Sequence, residues 1–511
     1  MTISTFHLCF GAPVFKKLAL LSCLLTPLMS QAQKVSPISQ STADYAVKTY
    51  QHDMVQSLRK LIKHNTVAKE GTPSTKNPTH IAFKKELKKQ ALALGLDFED
   101  HGYVAIVGLG KSTERVGIIT HGDVQPVNPA KWVKSPFELD STSQPGKLIG
   151  RGTEDDKGPI ATAMYAMKAI KDNNIKLNKR LELYVYMAEE SDWEPLKEFI
   201  KQNSLPQTNI TIDASYPAVI AEKGWGMLKM TFPKNDINST RPYLSAFTGG
   251  LFGSQIPEDA QVVIENATPF IVKHIQQIAA KHPKIKYSYQ WQNKQLTITA
   301  LGKSAHSSQP DEGLNAITHL AELLSFKHWP NSTSGALVNF INDNLGTDLY
   351  GEKFGEISYE DTFMGKMTVS PTVLKQLDDG IQLNINIRRP KGKMTGVLEL
   401  EIQQVLAQWQ AKNKVTLLNF ESEIEEPFVQ ENAPHIDTLL NVFSHYTGIK
   451  NPKPISIGGG TNSRLFPNAV SFGPSMPNAE YTGHSEHEFI TMEQFILNLR
   501  MYTAVMIELA K

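Results

Sequence analysis

The chain has 511 residues, with 52 Lys and Arg against 51 Asp and Glu and a formal net charge of +1. That balance, with no basic stripe carrying interleaved aromatics, gives no electrostatic reason to expect nucleic acid as a partner and favours a small or neutral one. The length exceeds one ordinary core, so two compact domains are expected.

At the N-terminus, Lys16 and Lys17 precede an apolar run over 18–29 and the small residues Ser30-Gln31-Ala32. This order is that of a secretory signal peptide over 1–32, cleaved after Ala32, and it predicts a secreted or periplasmic protein. About twelve apolar residues interrupted by Pro27 are too few to span a bilayer. A lipid anchor on Cys23 competes with this reading, but Leu20-Leu21-Ser22 is a poor setting for one. Both cysteines, Cys9 and Cys23, fall in the leader. The mature chain therefore has no thiol, and any metal it holds must be bound by histidine and carboxylate.

Helical periodicity covers 43–64 and 77–94, the second ending ahead of Gly95. Strands and helices then alternate, with strands at 117–120, 181–187 and 210–212 and a helix at 159–170, which predicts an α/β fold on a parallel sheet. From 232 the character changes to Gly, Ser and Pro turns, strands at 295–301 and 381–387, and a helix at 314–325. This reads as an inserted α+β lid domain over 232–420, with a helix at 396–410 and a strand at 415–419 still within it. The catalytic domain is then 33–231 and 421–511. It closes with a helix at 436–446, a Gly458 to Thr461 loop, a strand at 469–472 and a helix after Thr491, where Thr491 and Gln494 have capping-box spacing.

Chemistry gathers around Gly150-Arg151-Gly152-Thr153-Glu154-Asp155-Asp156-Lys157-Gly158-Pro159. Asp155 falls in a tight loop just before a helix, where backbone geometry can aim both of its oxygens at a metal. Read alone, the stretch is equally a solvated acidic turn. Its company decides: His121 and Asp123 follow the first strand, Glu189 and Glu190 the next, and Asp213 the third. In open α/β sheets ligands lie beyond the carboxyl ends of strands, so these groups should share one crevice.

Histidines and carboxylates of this kind suit zinc in an open catalytic site. Two zincs need a bridging ligand with two oxygens, and Asp155 is the choice for it. His121 with Asp213 and His484 with Glu190 would complete the two ions. Glu189, beside a ligand but free of the metal, would move the proton of the attacking water. Asp123 would accept a hydrogen bond from the far nitrogen of His121 and so fix its tautomer. Asp156 and Lys157 are expected to be structural.

In order and spacing, these runs, with Gly302 to His306, Gly458 to Thr461 and His484 to Glu488, resemble the co-catalytic zinc metallopeptidases that include aminoacylase, glutamate carboxypeptidase and succinyl-diaminopimelate desuccinylase. The resemblance covers nearly all of the mature chain and is nearest to the peptidase V type dipeptidases. It implies His121, Asp155, Glu190, Asp213 and His484 as ligands of two zincs and Glu189 as general acid and base. It also implies that His306 reaches from the lid to the oxyanion. Arg388, with its planar guanidinium fork, would hold the free carboxylate of a small peptide substrate. Backbone donors of Gly459, Gly460 and Thr461 would serve the same carboxylate.

Three departures stand out: Ser254 where the family often has Asn, His487 before Glu488 where Asn is usual, and Ser215 where an acidic residue is frequent. His487 is thereby a rival ligand to His484, which is preferred for matching the first position of the motif. The implied activity is hydrolysis of dipeptides through hydroxide held by two zincs. An N-acyl-amino-acid amidohydrolase and a non-catalytic zinc-binding relative are the alternatives. The presence of Glu189 argues against the last. The long segment before His306 implies an enlarged lid, so that one chain completes its own site as a monomer.

Overall fold

The computed structural model describes residues 35–511. The expected leader, its cleavage point and both cysteines lie outside the described residues. No described helix is long and apolar enough to cross a membrane.

Two sheets organise the described chain. The first has nine strands, and its centre is parallel: Arg180–Tyr186, Arg115–His121, Thr208–Thr211 and Ala469–Ser471. Arg115–His121 reads RVGIITH and is buried from Val116 onward, as a central strand covered on both faces must be. The expected parallel sheet is therefore mixed at its edges. Asp97–Asp100 and Val104–Leu109 join one side and Val219–Glu222 and Phe428–Val429 the other, all antiparallel. Ile455–Ile457 runs parallel to Val219–Glu222. These edge strands are short, and nothing in their local pattern fixes their direction.

Helices Pro37–Ile62, Lys157–Asp172 and Met492–Ala510 pack on one another against one face. Their buried side chains join those of the strands in a single core. The helix after the metal-poised loop starts at Lys157 rather than Pro159, with Pro159 as its third residue. Proline is tolerated there because the first N–H groups of a helix have no intrahelical acceptor. Thr491 caps the last helix by accepting the N–H of Gln494 at 3.1 Å. The expected capping box is only half formed, because the Gln494 side chain donates to the carbonyl of Pro474.

The second sheet has eight strands, all antiparallel, between Gly224–Pro233 and Leu418–Ile424. Helices Pro269–Ala279, Ala316–Leu323, Thr333–Asn344 and Thr395–Asn413 share its core. Composition changes at Phe232, yet the chain joins this sheet at Gly224, because Gly224–Pro233 is as apolar as the strands before it. From this part of the chain the short strand Ala305–His306, paired with Gln255–Ile256, reaches back to the first sheet. Gln255 Nε2 donates to the carbonyl of His484 at 2.8 Å, and the N–H of Glu486 donates to Ser304 Oγ at 3.2 Å.

Candidate metal centre

Three strand ends and two loops bring the sequence-selected groups together. His121 ends its strand, Glu189 and Glu190 follow Arg180–Tyr186, and Asp213 follows Thr208–Thr211. Asp155 sits between them with its oxygens divided. Oδ1 lies 2.9 Å from His121 Nε2, and Oδ2 lies 3.1 Å from His484 Nε2. Asp213 Oδ2 is 3.6 Å from His121 Nε2, and Glu190 Oε1 is 2.9 Å from His484 Nε2. Two groups result, His121 with Asp155 and Asp213, and Asp155 with Glu190 and His484. Within each, one ligand atom per residue lies within 4.8 Å of the others, so each group could hold a metal ion.

The charge balance of the cluster fits a cation. Asp123, Asp155, Glu189, Glu190 and Asp213 face only two histidines. Burial by itself would lower both imidazoles, yet Asp213 with Asp123 and Asp155 lifts His121 well above its ordinary range, and Glu190 with Asp155 lifts His484 to about 10. Burial raises Asp213 to about 6 despite the neighbouring His121. A metal ion would relieve the same surplus of negative charge.

Glu189 stands apart. It belongs to neither group, and its Oε1 is buried with no partner among the described residues. Burial, with the charges of Asp213, Glu190 and Asp123 added, holds its carboxyl well above the usual range in spite of His121. Asp123 acts differently from expectation. Its Oδ1 and Oδ2 accept the N–H groups of Glu189 and Glu190, each at 3.1 Å. The far nitrogen of His121 lies 3.1 Å from the carbonyl of Asp123 and 3.6 Å from its carboxylate. The one residue thus orients both the His121 ring and the Glu189-Glu190 turn.

His306 meets the cluster from the two-stranded ladder it forms with Gln255–Ile256, its ring 4.5 Å from that of His484. Its Nδ1 accepts the N–H of Ser308 at 3.1 Å, which leaves the ring proton on Nε2. Burial, with His484 and Arg388 adding to it, pushes its pKa well down, so the ring is neutral. Arg388 is buried, and its hydrogen bonds go to neutral groups, Asn386 Oδ1 at 3.1 Å and Ser307 Oγ at 3.3 Å.

Two cavities meet at Glu189, Glu190, His306, Gly460 and His484. One, of about 770 Å³, is walled by Gly458 to Thr461 and by apolar residues such as Phe443, Ile455 and Met476. The other, of about 540 Å³, contains Arg388, Trp225, Ser254 and Arg464. Of the glycine loop only Gly460 lines both, so Gly459 and Thr461 do not share the cavity of Arg388. The Thr461 hydroxyl is already committed to Glu222 Oε1 at 2.7 Å.

His487, the rival to His484, is exposed with 63 % of its side-chain surface accessible, whereas His484 is buried. Ser254 accepts the N–H of Ser307 on its carbonyl at 2.9 Å, and the same oxygen lies 3.4 Å from His484 Nδ1. Asp156 accepts from Thr120 Oγ1, and Lys157 donates to the carbonyl of His64 at 2.7 Å.

Residues that sequence reasoning left without a role also shape the centre. Gln125 Nε2 donates to Glu190 Oε2 at 2.8 Å, and the Tyr481 hydroxyl donates to Asp155 Oδ2 at 3.0 Å. Glu488 takes the N–H groups of Gly152, Glu154 and Asp155. Only Glu488 had a local signal, as the last residue of the His484 motif.

Comparison with known proteins agrees with this architecture. The chain is 30% identical over 419 residues to a beta-Ala-Xaa dipeptidase of Lactobacillus delbrueckii subsp. lactis, covering 82% of this chain and 87% of the relative. The fold is shared with the di-peptidase Dug1p of Saccharomyces cerevisiae, at 15% identity and a TM-score of 0.55 over 92% of this chain and 98% of that one. It is shared equally with human carnosine dipeptidase 1, at 15% identity and a TM-score of 0.54 over 92% and 99%. The pattern of peptidase family M20/M25/M40 matches residues 117–508. With its strand-end carboxylates and histidines inside that span, the chain belongs to peptidase family M20/M25/M40 and is a hydrolase of the metallopeptidase type.

Proposed function

We propose that the chain is a secreted, zinc-dependent dipeptidase that binds two zinc ions and works as a monomer. The observation that carries this is the division of Asp155 between two histidine and carboxylate pairs, beside a Glu189 outside both groups and a buried Arg388 that, among the described residues, bonds only neutral partners. Nitrogen and oxygen donors in this number suit zinc, with His121 and Asp213 on one side, His484 and Glu190 on the other, and Asp155 between. Bound there, zinc would supply Lewis acidity toward the peptide carbonyl and acidify a water.

The chain's own residues do the rest. Glu189 takes a proton from the attacking water and returns it to the leaving nitrogen, a task open to it because its Oε1 is buried without a partner among the described residues. Asp123 holds the turn that aims Glu189. His306 offers its Nε2 proton to the oxygen that becomes negative as the carbonyl turns tetrahedral. Arg388 holds the free carboxylate of the C-terminal residue in the smaller cavity, and the larger cavity takes the N-terminal residue. The part of the chain that builds the second sheet, from Gly224 to Ile424, acts as the lid that supplies His306 and Arg388 from the same chain. The sequence of the leader supports export, with the mature chain beginning near Gln33.

Zinc content and hydrolysis of a panel of dipeptides and N-acetyl amino acids, measured on one preparation of the mature chain, test the reading. Two zincs per chain with turnover of dipeptides is the expected result. Turnover confined to N-acetyl amino acids makes the protein an amidohydrolase, and zinc without turnover makes it a binding protein.

A further inference from the structure

The two metal-poised groups are not equivalent, and the difference lies in one hydroxyl. Asp155 Oδ1 meets the ring of His121 and has no other side-chain donor among the described residues. Asp155 Oδ2 meets the ring of His484 and also receives the Tyr481 hydroxyl at 3.0 Å. Tyr481 is not a bystander packed nearby by chance of composition. An added Cβ on Gly483 would fall 2.2 Å from the Tyr481 oxygen and 3.0 Å from Asp155 Oδ2, so the absence of a side chain at 483 makes the niche that seats the phenol. The ring packs edge to face with that of His306, centroids 5.9 Å apart and planes at 72°.

A carboxylate oxygen has two lone pairs. On Oδ2 one can face an ion and the other the phenol, so the hydroxyl limits rotation of the carboxylate and fixes the direction of the lone pair left for the ion. The phenol carries the one proton of this pair and donates it to Oδ2. Oδ1 lacks this restraint.

We infer that Tyr481 is a positioning residue that selectively strengthens metal binding at the Asp155–Glu190–His484 group, through its hydrogen bond to Asp155 Oδ2. The inference rests on the two-ion reading of the site. Hydrogen bonds to ligand groups are typically worth about 10–100-fold in metal affinity. The isosteric Tyr481→Phe should cost this much at one ion and leave the other unchanged.

The test is made on the mature full chain equilibrated with zinc at graded chelator-buffered concentrations, with bound zinc counted directly. Wild type should bind two ions, and Tyr481→Phe should release one of them at a roughly 10–100-fold higher free zinc concentration. Placing Tyr481→Phe on His121→Ala, which keeps only the Oδ2 group intact, should reproduce the loss. On His484→Ala, which keeps only the Oδ1 group, it should have no effect. Melting temperatures of Tyr481→Phe and wild type, both stripped of metal, should agree and so exclude a general folding defect. Wild type that binds a single ion overturns the two-ion reading and this inference together. Wild type that binds two, with Tyr481→Phe weakening neither or both alike, overturns the inference alone. Complete loss of one ion would make the phenol a ligand and overturns the positioning role.

Discussion

Glu488 Oε1 accepts the backbone N–H of Asp155 at 3.1 Å, a bond between residues 333 positions apart. The same carboxylate takes the N–H groups of Gly152 and Glu154 and the guanidinium of Arg151 at 2.7 Å, all buried. It therefore moulds the loop that presents Asp155. Glu488→Gln puts an amide donor against these N–H groups and leaves Arg151 buried without its charge partner. Breaking such a buried pair costs about 3–5 kcal/mol. Urea denaturation should show a loss of that order, and bound metal per chain should fall with it.

Glu189→Gln should leave metal bound and remove turnover. The side chain belongs to neither metal-poised group, so its amide disturbs no donor. A general base of this kind contributes about 10²–10⁴ in rate. Zinc content and single-turnover hydrolysis on the same sample check it. Loss of zinc, or a near-normal rate, would show the role to be misassigned.

His306→Ala should lower kcat far more than it changes substrate affinity, because its Nε2 proton meets charge that exists only as the carbonyl reacts. The same residue decides the assembly. Mixing His306→Ala with Glu189→Gln protein should restore no activity, since each chain fills its own site. Recovered activity would mean that the site is shared between chains.

Arg388→Ala should raise KM for dipeptides with less effect on kcat, since a carboxylate remote from the scissile bond is held alike before and during reaction. Wild type should discriminate against dipeptides with an amidated C-terminus, and the variant should lose that discrimination. Equal discrimination in both proteins would remove Arg388 from carboxylate binding.

Acid sensitivity should be traceable to His435, at the start of the helix Ile436–Thr447. Its Nε2 lies 2.9 Å from the carbonyl of Asn209, and burial lowers its pKa to about 4. The folded chain therefore keeps the ring neutral, while the unfolded chain takes up a proton near the ordinary value of about 6.5. The stability contributed by the neutral ring is complete above about pH 6.5 and is lost as pH falls through 4. Between pH 7 and pH 5 this amounts to about 2 kcal/mol. In urea denaturation the stability difference between wild type and His435→Gln should shift by that amount, in the variant's favour, on going to pH 5.

The local half of this protein was legible in its amino acids. The apolar runs that become Arg115–His121, Arg180–Tyr186 and Thr208–Thr211 are legible because a buried parallel strand is apolar on both faces. Donor-type residues placed directly after those strands predict a shared crevice, since a parallel sheet brings its carboxyl ends to one edge. What depends on partners distant in the chain was fixed by packing. Val104–Leu109 and Val219–Glu222 take antiparallel places that no local pattern encodes. His484 turns inward and His487 outward because Gln255 and Ser254, some 230 positions earlier, hold the His484 loop. Asp123 spends its carboxylate on the amides of Glu189 and Glu190, although in sequence it sits beside His121. Hydrophobic periodicity and motif spacing report which side chains can face inward. The direction of a single lone pair, such as the one on Asp155 Oδ2 that Tyr481 occupies, is set only when both ends of the chain are packed around it.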